Sequence, residues 1–375
     1  MRRAPLALAL LALACDGAPS PVDSGRADAG TIAPRDAGTD AGTDADTDAG
    51  ADAGADAGTD AGPAGCVGPP GLYVAGSCTE LAEGVQPFHP RFELWSDGDD
   101  KERFVYLPPG TRIDTSDPDR WGFPRGTRLY KTFSIGGVRL ETRLLEKTGT
   151  GRGRDAWTMV AYAWSADQRS VTEVGPFGEQ NVLGTEHDIP TRAACVRCHT
   201  IAQDDAINGF SAIQLAHDEG GVTLASLSAE GWLTHPIPLA DATVPGDSTA
   251  RAALGYLHAN CGSCHGGPAP EHGLDLWLRV GTRTVETSSA WTTAVCGCSV
   301  WTGTGPAGEV IDLRIAPGHP ERSVIPLRMG SRAPTDAMPP LASERVDPEG
   351  LRVIEAWIAT LDETANGCPH GCPWP

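Results

Sequence analysis

The sequence predicts an α+β chain of several domains, with an N-terminal antiparallel, β-rich, sandwich-like domain followed by a mainly α region. Three observations carry this. Four runs between residues 102 and 165 are rich in Val, Tyr, Phe, Trp and Thr with partial alternation, the pattern of half-buried strands. Turn signals separate them: Pro108-Pro109-Gly110, Ser134 to Gly137, and the Gly-Arg-Gly run at 149–153. After Pro190 the apolar spacing becomes helical, with capping residues at the starts. A chain of 375 residues leaves room for two or three such domains.

The first segment, 1–15, has the form of a lipoprotein-type signal peptide. Arg2 and Arg3 precede an apolar run from Ala4 to Ala14 that is too short to span a bilayer. "LALAC" resembles a bacterial lipobox, in which Cys15 becomes the lipidated first residue of the mature chain. Ala12 stands where a lipobox usually has leucine, which leaves a plain signal peptide as the alternative. The expected location is therefore the periplasmic face of a membrane or the cell surface, with a lipid on Cys15 as the only membrane contact. Asp16 after that cysteine matches an inner-membrane retention signal in enterobacteria.

Residues 16–65 form a linker. From Asp36 to Gly62 the sequence repeats Asp-Ala-Gly-(Thr/Ala) every four residues. A helix would stack the aspartates at i, i+4 and carry a glycine on most turns, and it would have no apolar face to bury. The expectation is a disordered tether reaching roughly 40 Å as a flexible coil. Eleven aspartates there, against Arg26 and Arg35, supply much of the net charge of −20. That acidity argues against nucleic acid and anionic lipid as partners and favours a basic redox partner. It also serves simple solubility.

Residues 66–185 are the β-rich domain, built on "ERFVYLP" (102–108), "TRLYKTFSI" (127–135), "VRLETRLLEK" (138–147) and "WTMVAYAWS" (157–165). Trp95, Trp121, Trp157 and Trp164 could stack on a sugar, although core packing is the commoner fate of such residues. "WSDGDDKE" could offer calcium Asp97, Asp99 and Asp100, but no glutamate follows at loop spacing, which favours a solvated turn.

Residues 186–240 hold "CVRCH" and residues 241–375 hold "CGSCH". Two thiols one helical turn apart suit thioether bonds to two porphyrin vinyl groups, and the adjoining histidine then meets the iron. Cys195, Cys198 and His199 would hold one c-type haem; Cys261, Cys264 and His265 would hold a second. A zinc site of Cys195, Cys198, Cys261 and Cys264 is the rival, but it leaves both histidines without a role. Six further cysteines, Cys66, Cys78, Cys296, Cys298, Cys368 and Cys372, allow up to three disulfides in an exported chain. Cys66 with Cys78 is the natural local pair. A Cys296–Cys298 ring and cross-pairing of that segment with Cys368 and Cys372 are equally open.

The second motif has the fuller context. "PGDSTARAALGYLHAN" (245–260) forms a helix leading into it, capped by Asp247 or Ser248. "DAMPPL" (336–341) offers Met338 as the sixth ligand, which would raise the potential and exclude exogenous ligands. "DPEGLRVIEAWIATLDE" (347–363) closes the chain with Asp347 as N-cap, Pro348 at N1, and a stripe of Leu351, Ile354, Trp357, Ile358 and Leu361. Helix, motif, Met-Pro loop and terminal helix resemble, in order, a class I cytochrome c fold. The first motif has no such partner. His217 or Met329 could serve it, with His187, His235 and His258 as further candidates, or its sixth position could stay open. Only about sixty residues separate the motifs, so the β domain or the second haem would have to cover the first.

Several stretches together resemble a family of exported bacterial di-haem c-type cytochromes: "ELWSDGDDKERFVYLPPG" (93–110), "WGFPRGTRLYKTF" (121–133), "ETRLLE" (141–146), "CVRCH", "ARAALGYLHANCGSCH" (250–265) and "GHPERSVIPLRMGSRAPTDAMPPL" (318–341). The resemblance covers roughly residues 86–362. It implies two covalent haems at the two motifs and, since some members are encoded beside a parallel β-helix repeat protein, such a protein as partner. The segments around Cys296/Cys298 and Cys368/Cys372 depart from it. Three functions follow: an electron-transfer cytochrome whose β domain is partner dock or haem cover; a peroxidase-like haem oxidoreductase with an open position at the first iron; or a ligand-binding β module carrying haem.

Overall fold

The computed structural model describes residues 65–199, 205, 207–267, 270–305, 307–341, 343–362, 368 and 372. The expected signal peptide 1–15, the lipidation site Cys15 and the linker up to residue 64 lie outside the described residues. Among the described residues, no helix is long and apolar enough to cross a membrane.

The β-rich segment is one six-stranded antiparallel sheet in simple sequence order. Its strands are β1 (Val85–Pro87), β2 (Asp100–Tyr106), β3 (Arg128–Ile135), β4 (Val138–Lys147), β5 (Trp157–Trp164) and β6 (Val171–Glu173). Ile135 pairs with Val138, so Gly136 and Gly137 alone make the β3–β4 turn, and both have positive φ, as such a tight hairpin needs. The alternating residues face two covers. Phe104, Tyr130 and Leu144 pack with Leu72 and Val85 on one side, where a Cys66–Cys78 disulfide closes the segment before β1. On the other side Val105, Leu129 and Trp157 join a core that runs through Phe210, Leu215 and Leu224 to the C-terminal helices. The layer on that face is therefore helices and loops of the later chain rather than the second sheet of a sandwich. Period-2 alternation shows that a strand has a covered face without saying what covers it.

Six helices follow: α1 (Arg192–Cys198), α2 (Leu224–Ala229), α3 (Ser248–Asn260), α4 (Ser289–Ala294), α5 (Val324–Met329) and α6 (Pro348–Ala359). Thr191 caps α1, Asp247 caps α3 and Asp347 caps α6, each side chain accepting from the third backbone N–H beyond it. A hairpin of β7 (Cys298–Thr304) and β8 (Val310–Leu313) interrupts the helices, in a region expected to be mainly α. The last cysteines tie to it, Cys296 with Cys368 and Cys298 with Cys372, which resolves the two open pairings. Helix α6 crosses α3 closely: a Cβ on Gly350 would lie 2.2 Å from the Tyr256 ring. Together the helices and the sheet make an α+β fold with a shared core.

Candidate functional site

The register of the sheet sets out the wall of the main cavity. Three rows of cross-strand neighbours run across β2, β3, β4 and β5: Val105–Leu129–Leu145–Met159, then Arg103–Lys131–Arg143–Ala161, then Lys101–Phe133–Glu141–Ala163. Leu129, Leu145 and Met159 of the first row and all of the second border a cavity of about 1390 Å³, counted with the open solvent at its mouth. Its opposite side carries Cys195, Cys198 and His199 from the end of α1, with Phe88, Phe92, Ile207 and Gln214 closing the rim. Ala259, two residues before Cys261, and Leu341 of the Met-Pro loop also line it. Among the described residues the cavity wall carries Arg103, Lys131, Arg143 and Arg192, and no aspartate or glutamate.

Most of these cations are countered behind the wall. Arg103 donates to Glu93 at 3.0 Å, and Arg143 holds the buried Glu141 through a very short contact. Glu141 also takes the Nε2 of His187 at 2.9 Å, and Asp99 takes its Nδ1 at 2.6 Å. Burial opposes it, but the bonds and charges of Glu141 and Asp99 raise the His187 pKa above the usual histidine range. Lys131 lies over the Phe133 ring, 4.5 Å from its centre. Burial, with Arg103, Arg143 and Lys101 nearby, pushes its pKa well below the usual lysine range.

A second buried network fixes the chain just after the first motif. Lys147 at the end of β4 donates to both carboxylate oxygens of Asp205 at 2.6 Å, with both side chains essentially inaccessible. Asp205 also accepts from the backbone of Phe123 and Gly153 and from the indole of Trp157. All these donors belong to the sheet or its loops, so Asp205 fastens the chain beyond α1 against the cavity wall.

The second motif caps α3. Cys264 and His265 both return their backbone N–H to the Cys261 carbonyl, making a tight turn. Burial pushes the Cys261 thiol up to about 12, and burial likewise raises Cys195. Asn260 bonds the backbone of Glu93 and Trp95 (3.0 and 2.7 Å), joining the start of this motif to the segment leading into β2. Arg332 staples the Met-Pro loop by donating to the carbonyls of Met329, Met338 and Pro339. Burial, with Cys261 and Asp347 nearby, raises the Tyr256 hydroxyl above the usual tyrosine range.

Other sequence candidates fall elsewhere. His217 is outside the cavity lining, and its Nε2 bonds the His89 carbonyl at 2.7 Å. Met329 is buried in the main core. His258 is buried, accepts from Leu278 N–H, and is held neutral by burial, its pKa pushed down to about 3. His235 bonds Thr234. The tryptophans Trp121, Trp157 and Trp164 are core residues. The acidic "WSDGDD" run is not the solvated turn it resembles. Asp97 takes the backbone N–H of Glu344 and Arg345, and Asp99 is spent on His187. Among the described residues no three His, Cys, Asp or Glu side chains converge as metal ligands. No disulfide joins Cys195, Cys198, Cys261 or Cys264.

Three features escaped the sequence: the cation row, the Asp205 anchor, and Met159 in the sheet wall of the cavity that His199 also lines. Charges at the apolar alternation positions of "RLYKTFSI" and "VRLETRLLEK" were the available signal. The arrangement suits a flat apolar group with an anionic edge, held by two thiols and a histidine. No protein-family model matches the chain, and neither a curated protein nor a solved structure shows a significant match.

Proposed function

We propose that the chain is an exported di-haem c-type cytochrome that transfers electrons, tethered to a membrane by lipid on Cys15. The observation that carries the reading is the cavity that Cys195, Cys198 and His199 share with the Arg103–Lys131–Arg143 row, with Ala259, two residues before Cys261, also in its lining. A second motif whose lead-in helix reaches the same cavity suits relay. In this reading Cys195 and Cys198 bind the first haem covalently and His199 is its proximal ligand. Cys261, Cys264 and His265 do the same for the second. Each haem, when bound, supplies a one-electron ferric/ferrous couple.

The residues around the sites then have definite tasks. The apolar side chains of Leu129, Leu145 and Met159 would exclude water from the first porphyrin face. Arg332 holds the loop that presents Met338, the candidate far-side ligand of the second iron. Helices α3 and α6, crossed at Gly350 and Tyr256, support a cytochrome c-like arrangement around that site. Among the described residues Met159 lines the cavity, whereas His217 and Met329, the other candidate ligands for the first iron, do not. The sheet is the haem cover, and the acidic exterior suits a basic redox partner; the resemblance adds a parallel β-helix repeat protein.

Haem per chain tests this directly. The alkaline pyridine spectrum should give two haems in the intact protein and one each in Cys195→Ala/Cys198→Ala and Cys261→Ala/Cys264→Ala. One haem in the intact protein overturns the di-haem reading, and zinc without haem overturns all of it. Relay predicts two low-spin ferrous spectra that ignore carbon monoxide. Ready carbon monoxide binding at the first haem would move the reading to a haem oxidoreductase with an open sixth position.

A further inference from the structure

Arg103, Lys131 and Arg143 stand directly opposite one another on three adjacent strands. Like charges facing across a sheet repel, and a cation held inside a protein is costly unless a carboxylate meets it. Two of the three have one, in Glu93 and Glu141. Lys131 has none within ion-pair distance among the described residues, and its ring contact with Phe133 is no substitute for a charge. Among the described residues the wider cluster sets Lys101, Arg103, Lys131, Arg143 and His187 against Glu93, Asp99 and Glu141. This sits in a chain of net charge −20, and among the described residues the cavity lining holds no aspartate or glutamate.

We propose that Arg103, Lys131 and Arg143 seat the two propionate carboxylates of the haem attached at Cys195 and Cys198. The inference rests on the di-haem reading and deepens it. A porphyrin entering the cavity brings an apolar face for Leu129, Leu145 and Met159 and two carboxylates for the next row, where Lys131 lacks a carboxylate partner among the described residues. A single anion such as free phosphate would leave the apolar residues and both thiols without a partner. Lys131 is then a positioning residue that also sets how easily the iron is reduced, because a nearby cation favours the more negative ferrous form.

The test is spectroelectrochemical titration of intact holoprotein, wild type against Lys131→Gln and Lys131→Arg. Lys131→Gln should shift the equilibrium of one haem about tenfold towards the ferric form, about 59 mV lower for one electron, and leave the other haem unmoved. Lys131→Arg should keep the wild-type value. Two haems attached with both potentials unmoved in Lys131→Gln overturns the inference and leaves the di-haem reading standing. Haem missing from Cys195 and Cys198 in the wild type overturns the reading and the inference together. Should Lys131→Gln fail to fold, resonance Raman of Cys261→Ala/Cys264→Ala isolates the first haem. A propionate-bending band at the position of water-exposed propionates would overturn the proposal, and a shifted, hydrogen-bonded band would support it.

Discussion

The two Cys-x-x-Cys-His motifs have the same chemistry and opposite settings. The second caps a thirteen-residue helix and turns back on itself through local hydrogen bonds. Its neighbours, α6 and the Met-Pro loop, come from the same end of the chain. The first ends a helix of only seven residues, and its surroundings are borrowed from strands earlier in sequence. The second motif is thus positioned by helix packing and the first by long-range ion pairs. The difference teaches where each can be broken: charge changes should disable the first and volume changes the second.

The largest effect belongs to Asp205. Asp205→Ala strands the inaccessible Lys147 ammonium and three further donors, at a cost of about 5 kcal/mol. Urea unfolding should show it as a lower midpoint with an unchanged slope. Conservative Asp205→Asn, which keeps some hydrogen bonds, should lose less. On the di-haem proposal, the first haem's spectrum should broaden in either variant while the second's is kept.

Next comes His187, with about 3 kcal/mol lost in His187→Gln because Asp99 and Glu141 lose their shared cation. The pH dependence has a definite sign. The His187 pKa is raised above 6.5 on folding, so its contribution is complete below 6.5 and is lost as pH rises through the folded value. Against burial, Arg143 and His187 hold Glu141 below 4.5, so that contribution is complete above 4.5 and is lost as pH falls through the folded value. The gap between wild type and His187→Gln should therefore be widest between those two values and narrow in alkali. A gap that stays constant to high pH would show that packing, and not charge, holds His187.

The same contrast explains what could be read from the sequence. The four long strands were legible because alternation over seven to ten residues is a strong signal. The flanking strands β1 and β6 have three residues each, too few for any period. The β7–β8 hairpin was hidden among small residues whose pairing depends on the disulfides at Cys296 and Cys298. Both motifs were legible because their chemistry is local. The wall opposite Cys195 was not, since Lys131 meets Arg103 and Arg143 only through strand register. Asp205 looked like one more acid in an acidic chain, and nothing nearby in sequence named Lys147 as its partner.

On the second motif's side the sharper probe is Gly350. Glycine to alanine inside a helix normally gains about 1 kcal/mol. Here the new methyl would meet Tyr256 at 2.2 Å, so Gly350→Ala should lose about 1–3 kcal/mol through overpacking. It should also perturb the second haem before the first. A gain in stability would mean that α3 and α6 can move apart freely and that the second site is less tightly packed than drawn.

The smallest effect gives the cleanest separation of the two settings. Thr191 and Asp347 each accept a backbone N–H at the start of a helix, Thr191 for the short α1 and Asp347 for α6. Removing either cap should cost about 1 kcal/mol. The equal costs should nevertheless be felt differently. Helix α6 has twelve residues and buries Ile354, Trp357 and Ile358, so packing should hold it once its cap is gone. Helix α1 has seven residues, and its cap is its main local restraint. Thr191→Ala should therefore shift the first haem's reduction potential, while Asp347→Ala lowers stability by the same amount and leaves both potentials in place. Equal potential shifts in the two variants would mean that α1 is held by its contacts with the sheet as firmly as α6 is held by α3.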